Sequence, residues 1–563
     1  MQSLPTQERI ATAARVTDAC MSPAGANRPP PFEGRNLYLT HRALQDAVTR
    51  EGAAWAHERL AAWGATLGSA KTFALAARAN RYTPELRTHD RFGNRIDEVT
   101  FDPGWHELMA LAMREGEHSS PWSEPRAGAQ VARAAAYLMH AEVENGTQCP
   151  LTMTYAGVPV LRRHAHGLPW LEAAWLPRVL ARDYDPRSLP VADKTSALIG
   201  MGMTERQGGS DVRANTTRAE RTGDGAYRLT GHKWFFSAPM CDAHLVLAQA
   251  GGGLSCFLMP RFLPDGSRNA VRLQRLKDKL GNRSNASSEV EFDGATAWLL
   301  GDEGRGVPVI IEMVRHTRLD CVIGSAGLIR GAVAQALHHA NYRQAFGKRL
   351  VEQPLMQNVL ADLALEDEAA TALALRLARA FEAADDAADS ALARLVTPAL
   401  KYWICKRAPA VVAEALEVLG GNGYVEESTL PRLYREAPLN SIWEGSGNVM
   451  CLDVQRAARR EPMAVDALLA ELALAHGADD RLDRHVAALT TTLAGHESTE
   501  ADARRQAGAI AVALAGALLV RHAPAGVGDA YCASRLNDSC AGVLGTLPAG
   551  VDRSAIIARA LPE

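Results

Sequence analysis

At 563 residues the chain is too long for one hydrophobic core, which rarely grows past roughly 250–300 residues, and about 150 residues per domain suggests three or four domains. Apolar residues make up 47% and charged residues 22%, which excludes a disordered chain. A formal net charge of −3 gives no global field favouring nucleic acid or an anionic membrane.

The nine cysteines (Cys20, Cys149, Cys241, Cys256, Cys321, Cys405, Cys451, Cys532 and Cys540) are scattered, odd in number and contain no C-x-x-C pair. A disulfide scaffold or zinc ribbon would cluster them, so a reducing compartment and no metal site are expected. Glu8 and Arg9 interrupt any N-terminal apolar stretch. The longest apolar run, Ala507–Val520, has 14 residues, against about 20 for a membrane-spanning helix. The expectation is a cytoplasmic protein with no membrane contact.

Residues 1–42 read as an irregular arm, with Pro29, Pro30 and Pro31 favouring extended backbone. From 43 to 200 the texture is helical, rich in Ala, Leu, Arg and Glu, as in Ala129–Glu144. It changes near Met201. Tyr227 and Leu229 alternate with Arg228 and Thr230, and Val290 and Phe292 with Glu289, Glu291 and Asp293, the period of a half-buried strand. His244–Ala250 and Leu254–Pro260 flank Gly251, Gly252 and Gly253 and predict a hairpin. Residues 201–300 therefore read as an antiparallel β domain. Helical texture returns over 301–460, where Leu373, Leu377, Ala380 and Phe381 share one helix face, and an Ala-rich helical segment fills 461–563.

Gly200-Met201-Gly202 starts like a dinucleotide fingerprint, but Glu205 stands where the third Gly is needed and strands follow. No Walker A or H-E-x-x-H sequence occurs. In Met203–Asp211, Thr204 and Ser210 flank the Gly208–Gly209 pair; these groups suit the polar edge of a ring, or equally a surface loop. In Gly231–Ser237, strict alternation would put Trp234 and Phe236 on one face and Phe235 with Ser237 on the other. Three adjacent aromatics are usually core; a flat ring beside a hydroxyl also suits a planar cofactor.

M-T-E-x-x-x-G-S-D at 203–211, G-x-K-x-F-x-S at 231–237, R-x-x-F-G at 343–347, L-G-G-x-G-Y at 419–424 and I-W-E-G-S-G-N at 442–448 resemble the acyl-CoA dehydrogenase family, in its order. The match spans roughly 43–460. The segments P-P-P-F-E-G-R-N-L-Y-L at 29–39 and K-D-K-L-G-N-R-S-N-A-S at 277–287, with the helical tail, resemble its AidB branch, associated with the adaptive response to alkylating agents. The resemblance implies an α+β multidomain fold: an N-terminal α-helical domain, a middle β domain, a four-helix bundle and an extra C-terminal helical domain.

The resemblance further implies FAD as cofactor, an acyl-CoA substrate with a short or branched acyl group, and a homotetramer. Family members remove an α-proton while the β-hydride moves to flavin N5, a step that ordinary side chains cannot accept. The base would be Glu444, whose plain alternative is a turn residue capping the next helix. Some relatives carry the base before a distant Arg; here that position is Thr317, beside Arg318. Cofactor contacts would come from Met203, Thr204, Gly209, Ser210, Trp234, Phe235, Phe236 and Ser237, and from Gly421, Gly445, Ser446 and Asn448. Arg343 and Phe346 would hold the FAD of an adjoining subunit. Ser210, Arg318, Glu444 and Gly445 would contact substrate. Two departures concern FAD: Glu417 stands where the family carries Gln, and Pro354 replaces a second Gln, with Gln353 one residue short.

The alternative function is binding of double-stranded DNA on the same flavin-containing scaffold. Residues 461–563 hold 8 Arg and no Lys against 13 acidic residues, a net of 8 − 13 = −5 and the wrong sign for phosphate. The tail's apolar run also permits a third reading, a covering between subunits or along the substrate channel.

Overall fold

Strand forms where alternate residues have a core to face, and helix where the apolar period is longer. A computed structural model describes residues 27–165, 168–223, 225–382, 387–495, 499–536 and 542–563; most of the expected arm, with Cys20, and Cys540 lie outside them. The described part of the arm is docked. His338 Nε2 bonds the Pro30 carbonyl at 2.8 Å, and Phe32 meets Phe73 and His338 edge to face.

Helices α1 (Arg42–Arg50), α2 (His57–Leu67), α3 (Ala70–Arg81), α4 (Pro103–Glu115), α5 (Ser120–Ser123), α6 (Ala129–Ala141), α7 (Gln148–His164) and α8 (Pro169–Leu180) make the first layer. A hairpin, β1 (Glu85–His89) and β2 (Arg95–Thr100), interrupts it after α3, which corrects the all-helical expectation for this region. Its turn closes on Asp90, whose carboxylate accepts the Phe92 and Asn94 amides, an Asx-type turn.

The middle region holds β3 (Ile199–Gly202), β4 (Arg218–Arg221), β5 (Tyr227–Ser237), β6 (Ala243–Ala250), β7 (Gly253–Pro260), β8 (Val271–Leu276) and β9 (Ser287–Leu300). β6 and β7 form the expected Gly-turn hairpin, Ala250 opposite Gly253. The order β3-β6-β4-β5-β9-β7 closes on itself through β6–β7, with β8 beside β9, so five strands leave no open edge. The sheet is mixed, since β3 and β4 run parallel to β6; the expectation of purely antiparallel pairing is corrected.

The third layer is built on α9 (Gly306–Tyr342), a 37-residue helix buried through most of its length. It ends in a small hairpin, β10 (Gln344–Ala345) and β11 (Lys348–Arg349). Helices α10 (Pro354–Ala380), α11 (Ala387–Val418), α12 (Leu430–Glu436) and α13 (Gly447–Arg460) complete this layer. α10 is buried almost without interruption from Leu360 to Ala378, so the single apolar face seen in the sequence is part of a fully enclosed helix.

The tail supplies α14 (Pro462–Ala473), α15 (Asp480–Ala494), α16 (Ala503–His522), α17 (Ala525–Arg535) and α18 (Arg553–Ala560). α16 contains the Ala507–Val520 run. With its preceding turn it is long and apolar enough to cross a membrane by composition, yet 78% of its most apolar 18-residue stretch is buried, and α10, α11 and α13 pack on it within the same chain. α18 returns to α10, where Arg559 forks onto Glu368.

The seven described cysteines are all buried and unpaired. Burial pushes the thiols up: to about 12 at Cys149, Cys256 and Cys532, and to about 11 at Cys451.

The β domain is pinned by a fully enclosed ion pair. Lys233 Nζ on β5 donates to Glu205 Oε1 and to the Leu247 carbonyl, both at 2.8 Å. Glu205 also accepts the amides and hydroxyls of Thr216 and Thr217. Burial works against the Glu205 charge, but Lys233 and these donors prevail and hold its pKa down to about 2. Lys233 is lowered to about 8 by burial, so both groups are ionised at neutral pH. Lys233→Met strands a buried carboxylate and is expected to cost about 3–5 kcal/mol, read as a lower denaturant midpoint. Because Glu205 titrates lower when folded, its contribution is complete above the ordinary carboxylate range and fades as the pH falls toward 2.

Candidate functional site

Glu444 lies in the loop between α12 and α13 with φ of +59°, and Gly445 follows at +105°. A left-handed backbone is costly for a residue with a Cβ and persists where surrounding bonds enforce it. Here they do. Arg318 Nε donates to the Glu444 carbonyl at 3.0 Å, and Lys401 Nζ to the Gly445 carbonyl at 2.6 Å. Arg318 is itself fixed by Asp453, Nη1 to Oδ2 at 2.9 Å. The +105° of Gly445 is a conformation that side chains with a Cβ rarely adopt, so the turn favours glycine.

The Glu444 side chain is half-buried. Its Oε2 accepts from the buried Thr317 hydroxyl at 2.8 Å, and not from an amide of α13. The capping alternative is therefore replaced by a contact with α9. Burial raises the Glu444 pKa above the usual carboxylate range, opposed by the Thr317 bond and by the charges of Lys401 and Arg318. A carboxylate held this way accepts a proton more readily than an exposed one.

The loop 203–210 sits against β5. Trp234 N donates to the Thr204 carbonyl at 2.8 Å, Asn215 Nδ2 to the Met203 carbonyl at 2.9 Å, and a Cβ on Gly209 would stand 2.5 Å from Thr204 Oγ1. Ser210 is exposed. β5 carries a bulge: Lys233 faces Val290 but Phe236 faces Ser288, with two residues between them on β5 against one on β9. The bulge breaks the alternation assumed from sequence. Phe236 turns inward, 1% exposed, stacked on His244 with centroids 3.9 Å apart; its ring belongs to the core, which corrects its pairing with Trp234. Trp234 and Phe235 instead share the outer side, with Lys277 Nζ 3.8 and 4.7 Å from their ring centroids. Phe235 is 50% exposed. Ser237 Oγ lies 3.4 Å from Ser287 Oγ.

Asn285 is nearby in the chain and 2% exposed, with both side-chain amide atoms buried and lacking a hydrogen bond. An exposed aromatic, three hydroxyls (Thr204, Ser210, Ser237) and unspent buried amide atoms fit a flat heterocycle with polar edges.

The remaining expected residues lie apart. Arg343 Nη1 donates to the Asn27 carbonyl at 2.8 Å. Phe346 is 99% exposed at the tip of the β10–β11 hairpin, with φ of +51°. Gln353, one residue short of the family position, ties that hairpin through Nε2 to the Ala345 carbonyl at 2.8 Å, while Pro354 starts α10. Gly421 lies in a turn where an added Cβ would meet nothing within 4 Å; Tyr424 beside it is 81% exposed, and Glu417 is exposed on α11. Ser446 and Asn448 start α13, and Asn448 Oδ1 accepts Arg504 Nε of α16 at 2.8 Å. Among the described residues, no hydrogen bond or ring contact joins Arg343, Phe346 or Gly421 to Glu444 or to the β5 shelf.

Lys401 and Asp453 are not singled out by the sequence, and Lys233 enters it only as the lysine of the G-x-K-x-F-x-S segment. Lys233 shares the inward register of Tyr227 and Leu229, two residues apart along β5, which is the signal for a buried role; Lys401 and Asp453 lie on helices with no local cue.

Three family models match: the AidB N-terminal domain over residues 27–186, and the acyl-CoA dehydrogenase middle and C-terminal domains over 200–295 and 304–459. AidB of Escherichia coli (strain K12) is 54% identical over 468 residues, 83% of this chain and 86% of that one. Caenorhabditis elegans ACDH-11, solved in complex with C11-CoA, superimposes with a TM-score of 0.81 at 27% identity, covering 98% of this chain and 95% of that one. The apo form of Bd2924 gives a TM-score of 0.79 at 30% identity, covering 88% and 100%. Family members use FAD. On its three matching domains and its identity to AidB, the chain belongs to the acyl-CoA dehydrogenase family.

Proposed function

We propose that this chain is an FAD-dependent dehydrogenase of acyl-CoA thioesters in which Glu444 takes the α-proton. The observation that carries the reading is Glu444 itself: a half-buried carboxylate of raised pKa, on a left-handed turn enforced by the half-buried Arg318 and the buried Lys401. Bound FAD would supply the acceptor for the β-hydride. Thr204, Ser210 and Ser237 would bond its ring edge, with Met203, Gly209, Trp234 and Phe235 beside them; Ser446 and Asn448 would reach its far end. Arg343, Phe346 and Gly421 would serve the FAD of a second copy, in keeping with the bare Phe346 and Gly421 surfaces. A homotetramer is the assembly this implies.

Arg318 and Lys401 hold the Glu444 and Gly445 carbonyls, which fixes the peptide planes that carry the Gly445 and Ser446 amides. The α13 ladder does not consume them, since its first internal bond runs from Met450 N to the Ser446 carbonyl. An amide so placed can bond a thioester oxygen as charge develops there. Thr317 donates to the carboxylate and fixes its rotamer; it cannot itself act as a base.

The acyl group is proposed as short or branched, although ACDH-11 was solved with C11-CoA, so a test panel has to span both ranges. Binding of duplex DNA draws no support from the tail, where Arg481, Arg505, Arg521, Arg535 and Arg559 are all engaged with carboxylates.

Anaerobic addition of acyl-CoAs from butyryl and isovaleryl to long-chain is expected to bleach the flavin of the purified protein. Persistent yellow across the panel counts against the dehydrogenase reading. Glu444→Gln is expected to stay yellow and lose bleaching by at least about 100-fold; turnover at the parent rate removes Glu444 as base. Bleaching should rise with pH as Glu444 deprotonates. Thr317→Val removes a bond that lowers the Glu444 pKa, so the rising limb of the rate profile should move to higher pH. Phe346→Ala is expected to weaken flavin retention and assembly together, measured by absorbance and light scattering.

A further inference from the structure

Behind Ser237 stands a half-buried lysine that the chemistry above does not use. Lys279 lies in the loop between β8 and β9, and its Nζ donates to the Asn285 carbonyl at 2.5 Å and to Ser287 Oγ at 3.1 Å. Ser287 Oγ in turn lies 3.4 Å from Ser237 Oγ, and the two serines face each other across the β5–β9 ladder. Two successive contacts therefore link an ammonium to the hydroxyl placed at the proposed ring edge.

The surroundings keep this charge effective. No carboxylate bonds Lys279 among the described residues. The two groups that act on it are the Cys149 thiol, neutral because burial pushes it up to about 12, and Glu436, whose carboxylate is turned to Asn282 N and Nδ2 at 2.5 and 3.0 Å. Burial lowers Lys279 to about 8, which leaves it mostly protonated at neutral pH. The Asn285 side chain adds two buried polar atoms without a partner. Glu436 offsets part of this charge without bonding it, and a charge in such a medium acts over several ångströms.

We propose that Lys279 is a positioning residue that raises the reduction potential of the bound flavin, its positive charge acting through Ser287 on the hydroxyl of Ser237. The inference rests on the reading that Ser237 faces the flavin. Hydride transfer adds negative charge to the ring, and a nearby cation stabilises that state over the oxidised one. The thioester substrate then meets an acceptor poised to take electrons.

The test is the two-electron midpoint potential of the flavin-loaded protein, measured by dye equilibration at pH 7. Lys279→Gln keeps a donor to Asn285 and Ser287 but removes the charge. It is expected to shift the equilibrium at least tenfold toward the oxidised form, about 30 mV lower for a two-electron couple. Lys279→Arg keeps the charge and is expected to restore the parent potential. Ser287→Ala, a loss of one oxygen, is expected to move the potential the same way by less, and it serves where the Gln variant does not fold. An unchanged potential in the Gln variant, or equal shifts in the Gln and Arg variants, overturns the proposal. A parent protein that takes up no flavin overturns the functional reading and this inference together. A flavin-loaded parent that no acyl-CoA bleaches counts against the functional reading alone, because the potentials can still be compared.

Discussion

A helix buried along most of its length has to be covered on every side, and α9 imposes that demand on the whole chain. Its Gly327 and Gly331 let α6 come close enough that an added Cβ would stand 2.2 Å from the Leu138 carbonyl and 3.1 Å from Glu142 Cα. α7 lies along the same helix, α10 and α11 pack on it as well, and the β sheet meets it through β7. Its polar groups are spent inward: Asp320 on the buried Arg133, and Arg330 on Asp367 and on the Thr40 and Ala560 carbonyls. One element thus joins the arm, the first helical layer, the bundle and the tail.

The site inherits its rigidity from that arrangement. Thr317 and Arg318 are consecutive on α9, so one turn of a fixed helix sets both the carboxylate and the backbone of Glu444. Asp453 then couples the clasp to α11 through Arg394 Nη2 at 3.1 Å. On the other side, the Lys233–Glu205 pair fixes the loop that carries Thr204 and Ser210 relative to the strand that carries Ser237. Each half of the site is held by a buried cation rather than by loop packing alone.

Much of this was legible in the sequence, and for physical reasons. The alternation of Tyr227–Thr230 and of Glu289–Asp293 is a local property of a half-buried strand, and the Gly251–Gly253 run marks its turn without tertiary information. The motifs around Glu444 and Ser237 carry a family resemblance that composition could not. What was missed depends on contacts distant in sequence. The β5 bulge moves Phe236 inward because β9 supplies one residue fewer, and no window around 231–237 contains that fact. Thr317 reads as an inert replacement until α9 and the Glu444 loop meet. The β1–β2 hairpin was overlooked because its strands are short and largely polar, though the Asp90–Asn94 turn was there to be read.

The enclosed thiols have a practical side. Thiolate is the reactive form of cysteine, and the seven described cysteines are both inaccessible and held in the thiol form. Site-specific labelling therefore needs no cysteine-free background in the folded body. With Cys20 and Cys540 replaced, a single cysteine introduced at an exposed position such as Phe92 in the β1–β2 turn would be the dominant target for a maleimide dye. Spectroscopic rulers could then be mounted on this scaffold without disturbing its core.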